Sequence, residues 1–206
     1  DNMTFDNSSE LFSSGLADIT LKNSISLEEG AITSTGGIVY FEKGGIQSGG
    51  ELDVTASILK LGDDYSKSGG TLTSSENSTT LELTDNLTLT SNTTLALLGL
   101  NLKNNTLTLG SDKSGLTVGG PITLDQTNEQ ILANTADLTL KGLLSVDDGG
   151  IYSDNASLIF TGGINQTGGL LKLDNAQLEL AGDISKTGGT LQTSDTEVKI
   201  SADIKI

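Results

Sequence analysis

Pairs of adjacent glycines recur along this chain at a nearly constant spacing. Five of these pairs begin at Gly49, Gly69, Gly149, Gly168 and Gly188, so that one gap is about four times as long as the others. Similar phrases surround three of them, in residues 62–72, 162–171 and 182–191. A repeat of about 20 residues that carries strand-type sequence is typical of a solenoid, in which each repeat forms one coil and neighbouring coils cover each other's apolar faces.

Between the glycine pairs, aliphatic and polar residues alternate. In the coil that starts at Gly168, period-2 alternation predicts that five side chains point inward: Leu171, Leu173, Leu178, Leu180 and Ile184. The next coil repeats the arrangement at Leu191, Val198, Ile200 and Ile204. We therefore predict an all-β fold, a right-handed parallel β-helix with about 20 residues per coil.

The repeat divides the chain unequally. Residues 36–206 are predicted to form the β-helix as one domain, whereas residues 1–35 are expected to be an irregular capping segment with a helical turn near Ser8. Between residues 80 and 141 the alternation continues without the repeated glycine phrase, so the coil boundaries stay open there. Residues 125–136 have the weakest strand pattern and are expected to form a loop or a short helix.

The last residues, up to Ile206, still alternate in strand register. An uncovered end coil would present unpaired backbone groups above an aliphatic interior. We therefore expect this chain to be a piece of a longer protein, and we expect that it can associate end to end.

The composition limits the classes of partner. Hydrophobic residues make up 34% of the chain and aromatic residues 3%, which suits a narrow aliphatic interior better than a large core. The net charge is −16, from 27 acidic and 11 basic residues. Because nucleic acids are bound by positive patches, we expect no nucleic-acid partner. The densest apolar stretch, residues 95–100, is too short to cross a bilayer as a helix, so we expect no membrane insertion.

The residues available for catalysis are few. The chain has neither histidine nor cysteine, which removes Ser/His and Cys/His nucleophile pairs and the commonest general base. Acidic doublets occur at residues 28–29, 63–64 and 147–148. Two carboxylates alone can hydrolyse a glycosidic bond, but nothing in the sequence places a pair across a cleft. We expect no enzymatic activity, with a polysaccharide-degrading β-helix enzyme as the remaining catalytic alternative.

Calcium is the one cofactor that the acidic residues suggest. Clustered carboxylates and backbone carbonyls in a turn can ligate this ion. The candidate ligands are Asp147, Asp148 and Asp154. No other cofactor is expected.

The glycine-pair coils, the strands rich in Asn, Thr and Leu, and the lack of cysteine make residues 36–206 resemble the β-helix of bacterial surface adhesins. The family is the filamentous haemagglutinin and autotransporter passenger type. The resemblance implies secretion, a place at the cell surface and a role in attachment. From it we expect a non-catalytic structural or adhesive segment whose partner is a host or neighbouring-cell surface receptor or glycan.

A carbohydrate- or crystal-surface-binding module is the alternative binding function. Three Thr-x-Thr steps would place pairs of threonines on the outside of a strand, at residues 71–73, 88–90 and 106–108. Most aromatic residues of the coils are expected to point inward, which would leave no exposed aromatic platform.

Overall fold

A computed structural model describes residues 2–62, 64–89, 93–110 and 114–205. In this part of the chain all strand pairing is parallel, and short strands stack as a β-solenoid with three faces. The described residues contain no helix, and so no helix that is long and apolar enough to cross a membrane. The predicted all-β solenoid with about 20 residues per turn is confirmed.

The strands are short and follow one another closely. The first fifteen are β1 (Met3–Phe5), β2 (Leu11–Ser13), β3 (Ile19–Leu21), β4 (Ile25–Leu27), β5 (Ala31–Thr33), β6 (Ile38–Phe41), β7 (Gly45–Gln47), β8 (Glu51–Asp53), β9 (Ile58–Leu61), β10 (Tyr65–Lys67), β11 (Thr71–Thr73), β12 (Thr80–Leu83), β13 (Leu87–Leu89), β14 (Thr94–Leu97) and β15 (Gly99–Asn101). The others are β16 (Thr106–Leu109), β17 (Gly115–Val118), β18 (Ile122–Leu124), β19 (Gln130–Asn134), β20 (Asp137–Leu140), β21 (Leu144–Val146), β22 (Gly150–Asp154), β23 (Ser157–Phe160), β24 (Ile164–Gln166), β25 (Leu170–Asp174), β26 (Gln177–Leu180), β27 (Ile184–Lys186), β28 (Thr190–Ser194), β29 (Glu197–Ile200) and β30 (Ile204–Lys205).

Successive strands belong to successive faces, and each face consists of two hydrogen-bonded sheets. Face 1 contains β1-β4-β7-β10 and then β13-β16-β19-β22-β25-β28. Face 2 contains β2-β5-β8-β11 and then β14-β17-β20-β23-β26-β29, and face 3 contains β3-β6-β9-β12-β15 and then β18-β21-β24-β27-β30. The two sheets of each face meet where β10 contacts β13, β11 contacts β14 and β15 contacts β18.

The pairing register settles the coil boundaries that the sequence leaves open. On face 1, Leu171 pairs with Ile151 in the preceding coil and with Leu191 in the following coil, so these two coils have the same length. The middle coils are less regular. The coil from Leu81 to its partner Leu100 is slightly shorter, whereas the coil from Leu107 to its partner Ile131 is longer by several residues.

The aliphatic positions of the alternation form the interior. Four of the five side chains predicted to point inward in the coil after Gly168 are buried, and Ile184 packs against them while partly exposed. The equivalent side chains lie on the last described coil, keep the register and are 42–47% exposed: Leu191, Val198, Ile200 and Ile204.

The glycine pairs do not all lie at the same corner of the solenoid. Gly49-Gly50 and Gly69-Gly70 lead from face 1 to face 2, whereas the pairs at Gly149, Gly168 and Gly188 lead from face 3 to face 1. The segment between Gly69 and Gly149 therefore does not contain a whole number of turns. The repeated glycine sequence thus specifies a type of corner. The irregular middle coils move that corner from the face 1–face 2 edge to the face 3–face 1 edge.

Close stacking at these corners explains the first glycine of the pairs at Gly49, Gly69, Gly168 and Gly188. A Cβ at Gly168 would overlap the carbonyl oxygen of Asp147 in the preceding coil, and one at Gly188 would overlap that of Thr167. The second glycine has a different requirement, since Gly169 has a φ of 61°, in the left-handed region. Both positions of the pair thus exclude a side chain, for different reasons.

At the glycine corners that begin at Gly69, Gly168 and Gly188, a polar side chain caps the corner from inside the coil: Lys67, Gln166 or Lys186. Lys67 is 2% exposed, and its Nζ donates to the carbonyl oxygens of Gly69 and Gly70, both at 2.8 Å. Gln166 Nε2 donates to Gly168 O at 3.1 Å in the same way. A buried carbonyl without a partner is costly, so these side chains stabilise the corner.

Residues 1–35 differ from the expected irregular segment. They contain β1 to β5, and β1 and β2 pair in register with β4 and β5 of the next coil. The helical turn expected near Ser8 is instead a tight corner before β2, closed by Glu10, whose Oε2 accepts the backbone N–H of Asp6 at 2.8 Å.

The expected loop or short helix at residues 125–136 is a similar corner followed by β19. Glu129 Oε2 accepts the backbone N–H groups of Asp125 at 2.9 Å and Gln126 at 3.3 Å. The Glu129 side chain thus satisfies these N–H groups in a corner that has no turn of helix. The strand that follows, β19, pairs with β16 and β22.

The corner packing predicts the effect of a single methyl group. We expect Gly168→Ala to lower the free energy of unfolding by about 2–3 kcal/mol, because the Asp147 carbonyl must move away. Gly115→Ala is the matched control, since its Cβ would meet only ordinary contacts, the nearest at 3.7 Å. Urea unfolding measures both. Equal stability of the two variants would contradict the corner argument.

The interior cap makes a second prediction. Lys67→Gln should change stability by less than about 1 kcal/mol, whereas Lys67→Leu should cost about 2 kcal/mol, because it removes the buried donor to the two glycine carbonyls. Burial also lowers the pKa of Lys67 below its usual 10.5, so the unfolded chain holds this proton to higher pH. The wild type should therefore gain stability relative to Lys67→Gln as the pH rises toward 10.5. Urea midpoints across this range test both expectations, and a more stable Lys67→Leu variant would contradict them.

Candidate functional site

Two rows of polar side chains stand on the outside of face 1 near its C-terminal end. Tyr152 pairs with Lys172, and Lys172 pairs with Gln192, on adjacent strands β22, β25 and β28. The second row consists of Asp154, Asp174 and Ser194 on the same three strands. Since parallel strands lie about 4.8 Å apart, each row repeats a polar group at that interval.

The two rows border an open groove of about 550 Å3. We call it the face-1 groove, and it is lined by Asn134, Tyr152, Ser153, Asp154, Lys172, Asp174, Asn175, Gln192 and Ser194.

A stack of left-handed residues forms the edge of the groove. Asn134, Asn155, Asn175 and Asp195 have φ values of 49°, 58°, 49° and 48°, each at the corner between face 1 and face 2. Asn and Asp tolerate this conformation better than other residues with a side chain. The long strands of the groove therefore all end at the same level, and their outward side chains stay aligned.

Hydrogen bonds and one ion pair fix the charged groups of the groove. Asp154 Oδ1 accepts from Asn155 Nδ2 at 2.8 Å and from Asn175 Nδ2 at 3.4 Å. Lys172 Nζ lies 3.1 Å from Asp174 Oδ2. The groove therefore holds two carboxylates and one ammonium group, which leaves it with a negative charge.

Tyr152 is the groove residue that sequence reasoning missed. Phe41, Tyr65 and Phe160 do point into the core, but Tyr40 and Tyr152 lie half-buried on the outside. The signal was present in the alternation of β22, where the buried residues on either side of Tyr152 require the tyrosine to face outward.

The three candidate calcium ligands do not form one cluster. Asp147 and Asp148 lie at the corner before β22, whereas Asp154 is the last residue of that strand. Asp147 accepts a hydrogen bond from Thr167, and Asp148 Oδ2 accepts one from Thr127 Oγ1 at 2.8 Å. Within the described ranges, no group of three acidic side chains comes together in a way that could hold a metal ion.

Of the other acidic doublets, the one at residues 28–29 accepts hydrogen bonds from backbone and hydroxyl groups. Glu28 Oε1 accepts from Ser26 Oγ at 3.1 Å, and Glu29 Oε2 accepts the backbone N–H of Ser8 at 3.0 Å. In the third doublet, Asp63 lies outside the described residues, and Asp64 is exposed.

The Thr-x-Thr steps do not share one surface. Residues 71–73 belong to face 2, whereas residues 106–108 belong to face 1. In the step at residues 88–90, Thr88 lies on face 1 and Thr90 lies outside the described residues.

Among the described residues, two side chains have a shifted pKa, and both lie inside the coil. Burial raises the pKa of Tyr65, whose hydroxyl donates to Gln47 Oε1 at 2.7 Å. Burial lowers the pKa of Lys67. Neither residue lines the face-1 groove.

No protein family, curated protein or solved structure matches this chain.

The separation of the three aspartates predicts how calcium acts on the protein. We expect millimolar calcium or excess chelator to leave the melting temperature unchanged, because Asp154 lies a whole strand away from Asp147 and Asp148. Differential scanning calorimetry with and without each additive measures this. The expectation would be contradicted by a calcium-dependent rise in melting temperature that Asp148→Asn abolishes.

Proposed function

We propose that this chain is a non-catalytic structural or adhesive segment of a secreted or cell-surface protein, comparable to the β-helices of the filamentous haemagglutinin and autotransporter passenger type. The observation that carries the proposal is the pair of aligned polar rows along the face-1 groove, displayed on a rod of stacked coils. The proposed partner is a receptor or glycan on a host or neighbouring cell.

The rod shape supports a role in display. Ten coils at about 4.8 Å each give a length of roughly 45–50 Å. Within each sheet the inner strands pair with the coils before and after them, so a contact surface on one sheet keeps its geometry along the rod. Such a scaffold suits attachment, in which many weak contacts act at fixed spacing.

The placement of the groove carboxylates supports binding more than hydrolysis. Glycosidases place two carboxyl groups on opposite sides of the scissile bond. Asp154 and Asp174 occupy adjacent register positions on one face, and Asn155, Asn175 and Lys172 engage them. A substrate in the groove would meet both carboxylates from the same side.

A carbohydrate-binding module is the second candidate function. The outward, half-buried Tyr152 beside hydrogen-bonding side chains favours it. This candidate shares the absence of turnover with the first and differs in needing no surface attachment.

A combined retention and turnover assay tests the proposal. Cells, extracellular matrix and polysaccharides are incubated with the purified protein, and both retained protein and newly formed reducing ends are measured. We expect retention without turnover. Sustained release of reducing ends that is lost in Asp154→Asn or Asp174→Asn would overturn the non-catalytic proposal. Failure to be retained on any cell or matrix surface would overturn the adhesive one.

A further inference from the structure

We propose that the face-1 groove binds a neutral glycan, with a sugar ring stacked on Tyr152 and its hydroxyl groups bonded to Asp154, Lys172 and Gln192. The inference rests on the proposed binding function and assigns it a site and a ligand class. Four features of the groove carry it: an outward aromatic ring, exposed planar hydrogen-bonding groups, negative charge and rung spacing.

The Tyr152 ring stands between neighbouring outward side chains of the sheet. It lies between Leu132 and Lys172 in register and is half-buried against the face. Within the described part of the chain its hydroxyl makes no hydrogen bond, so it is available to a ligand. A pyranose ring has an apolar side made of C–H groups and a polar rim, which matches an aromatic ring with a polar tip.

Hydrogen-bonding groups of the right kind surround the ring. A carboxylate accepts two hydrogen bonds side by side, and an amide pairs one donor with one acceptor. These groups match neighbouring hydroxyls on a sugar. Asp154 and Gln192 present such groups, and the Lys172–Asp174 pair is reachable because its side chains are 40% and 29% exposed.

Charge selects among glycans. The groove carries two carboxylates against one ammonium group, and the whole chain has a net charge of −16. Sialylated, sulfated or uronic-acid chains would approach a surface of their own sign, which lowers both affinity and association rate. A neutral glycan meets no such barrier.

The spacing of the coils fits a chain of sugars. The rungs repeat at about 4.8 Å, which is close to the length of one hexose in an extended chain. An oligosaccharide that runs parallel to the solenoid axis would therefore place successive sugars over Tyr152, Lys172 and Gln192. The inference thus favours linear oligosaccharides over single sugars.

Titration of the full chain with defined oligosaccharides, followed by calorimetry and NMR, tests the inference. The neutral probes are cello-, chito- and malto-oligosaccharides, and the anionic probes are 3′-sialyllactose and heparin fragments. The variant is Tyr152→Ala. Tyr40→Ala is the matched control, because Tyr40 is also half-buried, faces outward and pairs with a lysine, Lys60, but lies on face 3.

We expect at least one neutral probe to bind, and we expect Tyr152→Ala to weaken that binding by roughly tenfold or more, as loss of a central aromatic contact does. Tyr40→Ala should bind as the wild type does. Asp154→Asn should weaken binding several-fold without unfolding the chain, which circular dichroism verifies.

Three results would overturn the inference: tighter binding of the anionic probes, equal loss in the Tyr40→Ala and Tyr152→Ala variants, or no binding of any neutral probe. Retention on cells that survives Tyr152→Ala would remove the groove as the site and leave the adhesive function standing. Loss of cell retention in the wild type itself would instead remove the adhesive function, whatever the oligosaccharides do.

Discussion

In-register stacking of parallel coils is the interaction on which the rest of this structure depends. A strand cannot satisfy its own N–H and C=O groups, so the strands inside each sheet pair with strands one coil away on both sides. The same stacking closes the aliphatic interior, as Leu171 does between Ile151 and Leu191. A substitution that separates two coils therefore weakens backbone pairing and side-chain burial together.

The alternation in the sequence predicted the coil well where strands are long and corners repeat, as at Leu171 and Leu178. It failed for residues 1–35, because their very short strands carry too little alternation and the corner there is closed by the side chain of Glu10 instead of a glycine pair. Glu129 closes a corner in the same way, in a segment that looked like a loop or helix. Local phrases thus encode the type of corner, whereas its place on the solenoid depends on the lengths of all preceding coils.

The candidate site depends on that register as well. Tyr152 faces outward because of local alternation, but its position beside Lys172 and Gln192 follows from the equal lengths of the coils that separate them. Conversely, the aspartates at 147, 148 and 154 are neighbours in sequence and lie at opposite ends of one strand. In a solenoid, residues a few positions apart in sequence can therefore lie at opposite ends of a strand, whereas residues one coil apart in sequence lie side by side. The residues that line the face-1 groove are brought together by this one-coil spacing.

Pulsed electron–electron double resonance tests the continuous stack most directly, and the lack of cysteine makes the labelling unambiguous. One spin label is attached to a cysteine at Thr20, and the second is attached to a cysteine at Asn101, Ser145 or Ser185. All four are outward positions on face 3. These pairs are separated by four, six and eight coils. The account predicts distances of about 19, about 29 and about 38 Å, rising by about 4.8 Å per coil. Distances that stop increasing, or that decrease beyond the middle coils, would show that the chain folds back and would contradict the stack.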